Sequence, residues 1–202
     1  MEFGDVVRAR RMSRAFEQRP VDWSDVRDAV DLATRAPSAG KTQGWHVLVL
    51  EGDDVAAFWD DTLPGDKRAA FAWQDLLVAP MILLPFADPQ MYVDRYAEPD
   101  KQATGLGAGT ESWPVPYWTV DTSFAVMTLL LALRDAELGA LFFGVFSGET
   151  ALRQRLGVPE RLQLLGAIAV GHPTGTDRRG RSAARPRRTA DDVIHRSRWQ
   201  HR

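Results

Sequence analysis

The chain contains no cysteine. Disulfides, thiolate nucleophiles and cysteine-ligated zinc or iron–sulfur centres are therefore excluded, and the composition fits a reducing cytosol. Histidine is scarce too: His46, His172, His195 and His201 are scattered, without metal-ligand spacing. No long hydrophobic run is present. The longest, Phe124 to Leu133, is closed by Arg134 and Asp135 and is too short to span a bilayer. It reads as a buried core helix, and no membrane association is expected. Met1 to Arg14 is polar and charged, with no apolar segment of the secretory type, so a cytoplasmic location is expected. Net charge is also small, and a formal value of -2 argues against a polyanion-binding protein. Arginines nevertheless crowd residues 8–14 and 178–202. Few aromatics are interleaved with them, so no nucleic-acid partner is expected.

The 202 residues suit one domain, expected to span 1–202. Trp23, Val26, Ala29, Val30 and Ala33 share one helical face behind Asp22 or Ser24 as N-cap, and Ala36-Pro37 stops the helix. His46 to Leu50 reads as a strand ended by Glu51-Gly52-Asp53. Asp53 to Trp73 is helical with a break at Pro64-Gly65, and Met81 to Phe86 is a second strand. Residues 88–118 are the least regular stretch, and so long a connection is more often functional than idle. A strong helix runs from about Asp121 to Leu138, with Gly139 as the residue that ends it. Leu141 to Phe146 is a strand, Glu149 to Leu156 a short helix, and Leu164 to Val170 the last strand. Strands alternating with helices and little hairpin chemistry give an α+β fold with one sheet and surrounding helices.

Three segments could carry chemistry. Arg10 and Arg14, four residues apart in Arg10-Arg11-Met12-Ser13-Arg14, form a fork suited to phosphate if helical, or else a solvated basic turn. The segment Arg35 to Trp45 leaves a helix, gathers small and polar residues, and enters a strand. It offers backbone amides to a polar ligand, or it is a plain connector. Gly40-Lys41-Thr42 lacks the upstream glycine of a phosphate loop. Arg185-Pro186-Arg187-Arg188 is a third basic cluster, readable alone as a tail.

Taken in this order and at these distances, the three segments resemble the FMN-binding framework of the nitroreductase family. The family's basic opening is matched by Arg10-Arg11-Met12-Ser13-Arg14-Ala15-Phe16, and its Ala-Pro-Ser loop by Ala36-Pro37-Ser38 through Gln43-Gly44-Trp45. Its closing pair is matched by Arg185-Pro186-Arg187 ahead of Asp191-Asp192-Val193-Ile194. The Leu138-Gly139-Ala140 turn into Phe143-Gly144-Val145-Phe146 also sits where family members have it. Trp113-Pro114-Val115-Pro116-Tyr117-Trp118 is similar to an actinobacterial-type branch.

The resemblance implies an α+β nitroreductase-like fold, with a central, mixed but mainly antiparallel sheet surrounded by helices, in an intertwined homodimer. It implies FMN as cofactor, its phosphate held by Arg10, Arg14, Arg185 and Arg187, with Arg11 and Met12 in the same segment. Pro37, Ser38, Ala39, Lys41 and Gln43 would line the ribityl chain and pyrimidine edge, in part from the partner subunit. Gly144 and Val145 would approach the ring near N5. The implied activity is that of an NAD(P)H oxidoreductase, passing hydride through N5 in ping-pong fashion to a small electron-poor acceptor such as a nitroaromatic or quinone. Such chemistry demands no catalytic side chain, and none is named. Tyr92, Trp113, Tyr117 and Trp118 are candidates for the acceptor pocket, with packing of the loop against the core as the alternative. A biosynthetic flavin dehydrogenase, a flavin-destroying enzyme or a non-catalytic flavin store on the same scaffold are rival readings. NADH or NADPH stays open, as does a deazaflavin reductant. Three positions depart from the family pattern: Met12 replaces a serine, Lys41 an asparagine and Gly44 a proline. A lysine near the pyrimidine would favour anionic reduced flavin.

Overall fold

The computed structural model describes residues 1–175, 177 and 180–199. Arg178, Arg179 and His201, named above, lie outside the described residues. The sheet holds five strands: β1 (Trp45–Glu51), β2 (Met81–Ala87), β3 (Gly139–Phe143), β4 (Gln163–Leu164) and β5 (Ala167–Gly171). Their spatial order is β1-β2-β5-β3, with β4 also beside β2. Every strand pair is antiparallel. The parallel component is a single isolated bridge between Met12 and Ala140. This is the α+β arrangement expected from the sequence.

The helices are α1 (Phe3–Ala9), α2 (Trp23–Ala33), α3 (Asp53–Thr62), α4 (Gly65–Ala69), α5 (Pro89–Ala97), α6 (Tyr117–Asp135), α7 (Glu149–Leu156) and α8 (Ala190–Val193). They cover both faces of the sheet, which is why all seven residues of β2 are buried and read as one apolar run. Successive side chains of a strand point to opposite faces. Ile82, Leu84 and Phe86 therefore meet Phe58 and Trp59 of α3 and Leu152 of α7. Met81 and Leu83 meet Val26 and Ala29 of α2 and Leu129 and Leu133 of α6. Proline is rare inside a central strand because it lacks the ladder N–H. Pro85 is accommodated because it lies at the gap between β4 and β5, where paired residues are interrupted and no ladder N–H is called for; its carbonyl accepts from Leu165 N–H.

Several expected boundaries shift. Asp22 caps α2 as expected, accepting from Ser24 N–H at 2.8 Å, but Trp23 is half exposed and lies off the buried face. The strand expected over 164–170 is split into β4 and β5. That expected over 141–146 starts at Gly139 and ends at Phe143. Helix α6 begins behind Pro116, four residues before Asp121, because Asp121 points inward instead of capping. At its other end Glu137, not Gly139, takes the left-handed conformation, at φ 61°. Gly139 opens β3 against the N-terminal segment, where an added Cβ would come within 2.9 Å of Ser13 Oγ. The stretch 88–118 contains α5, whose signal was legible: Asp88 accepts from Gln90 N–H and Pro89 occupies the first turn.

Candidate functional site

The basic opening is extended rather than helical after α1, and the bridge from Met12 and the Ser13 N–H bond to Ala140 O (2.9 Å) fasten it beside β3. It forms a cleft of about 490 Å³ lined by Arg8, Arg10, Arg11, Met12 and Arg14 together with Gly180, Ser182, Arg185 and Arg187. Two stretches more than 160 residues apart by number thus meet. Among the described residues Asp177 is the one acid on this wall, and it is engaged by Arg14 N–H at 3.1 Å. The Arg14 guanidinium donates to Met12 O at 3.0 Å and lies 5.4 Å from the centre of the Trp73 ring. Met12 lines the cleft and presses its side chain on both core layers, so a thioether fills the place of the missing hydroxyl. Ser13 does not compensate, because its buried side chain belongs to a separate small pocket.

Arg14 also borders a second cleft of about 450 Å³, lined by Phe58, Trp59, Phe71, Trp73 and the strand end Phe143 to Phe146. Trp59 and Phe143 stack with ring centres 5.7 Å apart. A Cβ added at Gly144 would lie 2.6 Å from the tip of the Phe146 ring, so that ring would have to swing aside. Phe146 itself is 97% exposed. Donor groups for an anion therefore adjoin flat apolar walls, and the two meet at Arg14. Phe58, Trp59, Phe71 and Trp73 were not singled out in the sequence, because their helices and loops signal only core packing.

The loop after α2 brings Pro37, Ser38, Lys41 and Gln43 round a third cleft with Thr34 and Arg35. Within one chain it shares no lining residue with the arginine cleft. Three successive kinks set its shape, with positive φ at Gly40, Lys41 and Gln43. Non-glycine residues hold such angles only when surrounding contacts enforce them. Gln43 N–H donates to Ser38 Oγ (3.0 Å), Gln43 Nε2 to Thr34 O (2.8 Å), and Arg95 Nε to Gly40 O (3.0 Å). Asp121 of α6, 4% exposed, accepts from Ala39 N–H at 2.7 Å and from the Tyr92 hydroxyl at 2.9 Å. One buried carboxylate oxygen thus ties the loop, α5 and α6 together.

Burial, and then the hydrogen bond to Asp121, pushes the Tyr92 phenol up from its ordinary value of 10.0. Below that pH folded and unfolded chains both keep the proton, so the contribution to stability is fully present. Above it the unfolded chain releases the proton while the folded chain retains it. Stability should then fall by about 1.4 kcal/mol per pH unit from this group. Tyr92→Phe should remove that component. Urea unfolding of parent and variant between pH 8 and 11 checks it, and equal slopes above pH 10 would refute the assignment.

The Nitroreductase family model matches residues 7–172. The chain belongs to the nitroreductase family. A 4-nitrobenzoate reductase of Nocardioides sp. (strain LMS-CY) is 41% identical over 84% of this chain and 80% of its own length. A protein of Archaeoglobus fulgidus named as an NADH dehydrogenase/NAD(P)H nitroreductase is 27% identical over 96% of this chain and 97% of its own. A solved structure from Desulfovibrio desulfuricans, in complex with FMN, has the same fold. Its TM-score is 0.69 at 22% identity, and it covers 99% of each chain.

In this nitroreductase-family chain the four aromatic residues expected at an acceptor pocket form one cluster with Trp113 as its hub. Ring centres of Tyr92, Tyr117 and Trp118 lie 5.9, 5.9 and 6.1 Å from Trp113. Tyr92 is fully buried and Trp113 nearly so. Their polar edges are engaged, Trp113 Nε1 donating to Leu106 O (3.0 Å) and Tyr92 to Asp121. In the single chain these two side chains pack beneath the loop, the alternative named for them above. Tyr96, edge-on to Trp113 with ring centres 4.7 Å apart, carries that support to Gly40. Tyr117 is exposed and Trp118 half-buried, with Trp118 Nε1 donating to Gln163 Oε1 at 3.1 Å. Helix α6 is likewise buried on one face only. Phe124 and Met127 face outward, 47% and 40% exposed.

Proposed function

We propose that this protein binds FMN and works as an NAD(P)H-dependent oxidoreductase on a small electron-poor acceptor such as a nitroaromatic or quinone. The observation that carries the reading is the junction at Arg14 of an arginine-lined cleft and an aromatic-walled one. A phosphate dianion calls for several guanidiniums in charge-assisted contact, and a flat ring system calls for apolar walls and a close backbone. The side chains present fit both demands. Arg10, Arg11, Arg14, Arg185 and Arg187 would hold the phosphate, with Met12 between them. Gly144 and Val145 would bring main chain close to the ring. When bound, FMN would supply the hydride-accepting and hydride-donating centre.

Pro37, Ser38, Ala39, Lys41 and Gln43 would complete the site from the second subunit of a homodimer. That reading agrees with a loop cleft sharing no residue with the arginine cleft of its own chain. The outward face of α6, with Phe124 and Met127, would be covered in that dimer. Tyr117 and Trp118 remain candidates for contact with the acceptor, and the stiff loop would orient it while excluding water.

The purified protein is expected to be yellow, with a flavin absorbance spectrum that bleaches on anaerobic addition of NADPH or NADH. A colourless protein that takes up no added FMN would sink the proposal. Bound flavin that neither nicotinamide reduces would instead identify a store.

A further inference from the structure

Behind the arginine cleft lies a small enclosed pocket of about 60 Å³, lined by Arg10, Arg11, Ser13, Arg134, Gly139 and Pro173 with Ala9, Leu130, Leu138 and Ala140. Two of its cations are unusual. Arg10 Nη1 and Arg134 Nε are both buried and have no hydrogen-bond partner among the described residues. Among the described residues no acid lines the pocket. The nearest acid in sequence to Arg134, Asp135, is held by the terminal amine of Met1 at 2.6 Å. Asp177 serves the neighbouring cleft through Arg14 N–H.

A buried guanidinium N–H without an acceptor is costly, and here two of them line one pocket. Arg134 stands in the last turn of α6, where the helix dipole favours a cation but gives Nε no acceptor. A polar pocket of this size, by the measure on which one water needs roughly 10–15 Å³, holds an ion of halide or nitrate size. Ser13, 7% exposed, adds a hydroxyl to the same wall. It keeps its place because Gly139 leaves room for Oγ.

We propose that this pocket is a binding site for a small monovalent anion, chloride in the first instance, held between Arg10 and Arg134 with Ser13 as a third donor. Arg134 belongs to this pocket and not to the larger cleft, whereas Arg10 stands on the wall common to both. The anion fixes Arg10 in place, so its occupancy strengthens the arginine cleft from behind. The site itself does not depend on FMN binding.

Bromide tests it directly. Crystals of the full chain grown in bromide should show one anomalous peak between the Arg10 and Arg134 guanidiniums. In solution, replacing gluconate by chloride or bromide at constant ionic strength should raise Tm by about 5 °C when the site fills. Both signals should vanish in Arg134→Met. Arg134→Lys keeps the charge but loses the fork, and should need at least tenfold more bromide; it serves if the methionine variant folds poorly. A pocket holding only water, a carboxylate from a partner subunit in it, or a Tm rise undiminished in both variants overturns the proposal. None of these readouts requires bound flavin, so they stand apart from failure of the FMN reading.

Discussion

Replacing Arg14 and Arg187 together by alanine should yield a folded protein that no longer retains FMN through purification. A hydrogen bond to a charged group contributes about 1.5–3 kcal/mol. Loss of both guanidiniums should therefore weaken FMN binding by roughly two to four orders of magnitude. The single variants should differ in kind. Arg187 is exposed on the cleft wall, so Arg187→Ala should change affinity and leave unfolding untouched. Arg14 also donates to Met12 O, lies against Trp73 and holds Asp177 through its amide. Arg14→Ala should lower both affinity and the unfolding midpoint, the amide bond alone surviving. Titration of each apoprotein with FMN, followed by flavin fluorescence, gives the constants. Parent-like affinity in the double variant would remove the phosphate assignment altogether.

Asp121→Ala should have the largest effect on stability. The substitution leaves the Tyr92 hydroxyl and the Ala39 N–H without their common acceptor, and both groups are enclosed by α5, α6 and the loop. An unsatisfied buried donor costs about 1–3 kcal/mol, so roughly 2–5 kcal/mol should be lost. Asp121→Asn keeps the volume and one acceptor oxygen, and should lose less than half as much. Urea denaturation measures both. A positioning role makes a second demand, since the loop of Pro37 to Gln43 would lose the strut that fixes its first turn. Hydrogen exchange at Gly40, Lys41 and Thr42 amides should therefore accelerate in Asp121→Asn even under conditions where global unfolding is negligible. Unchanged exchange there would mean that Asp121 only stabilises the core.

Much of this was readable from residue order. The arginine segments suggested an anion site once they were taken together with the Ala36-Pro37-Ser38 loop, and Arg10, Arg14, Arg185 and Arg187 line one cleft. Residue order could not show that these stretches touch. Arg14 and Arg185 meet because the N-terminal segment is fastened to β3 by the Met12–Ala140 bridge and the chain after β5 turns back over it. Sequence also misjudged Asp121, where an acid ahead of an apolar run resembles a helix start. Its true position inside α6 depends on two donors from residues 39 and 92, which no local pattern announces. Nor could residue order choose between pocket and packing for Tyr92 and Trp113, whose burial only the fold shows. Aromatic side chains in an irregular stretch look available until the packing around them is known.

The cysteine-free composition, the alternation of strands and helices, and the three basic and polar segments determined the class of protein and the cofactor chemistry to expect. These features are local, because periodicity, turn residues and charge clusters act over a few positions. Which guanidiniums converge, which aromatic side chains are walls and which are foundations, and the burial of two unpaired arginine nitrogens behind the cleft were decided by the tertiary structure. Burial and pairing arise from contacts between segments far apart in the chain, and at those contacts desolvation sets the energy of each charge.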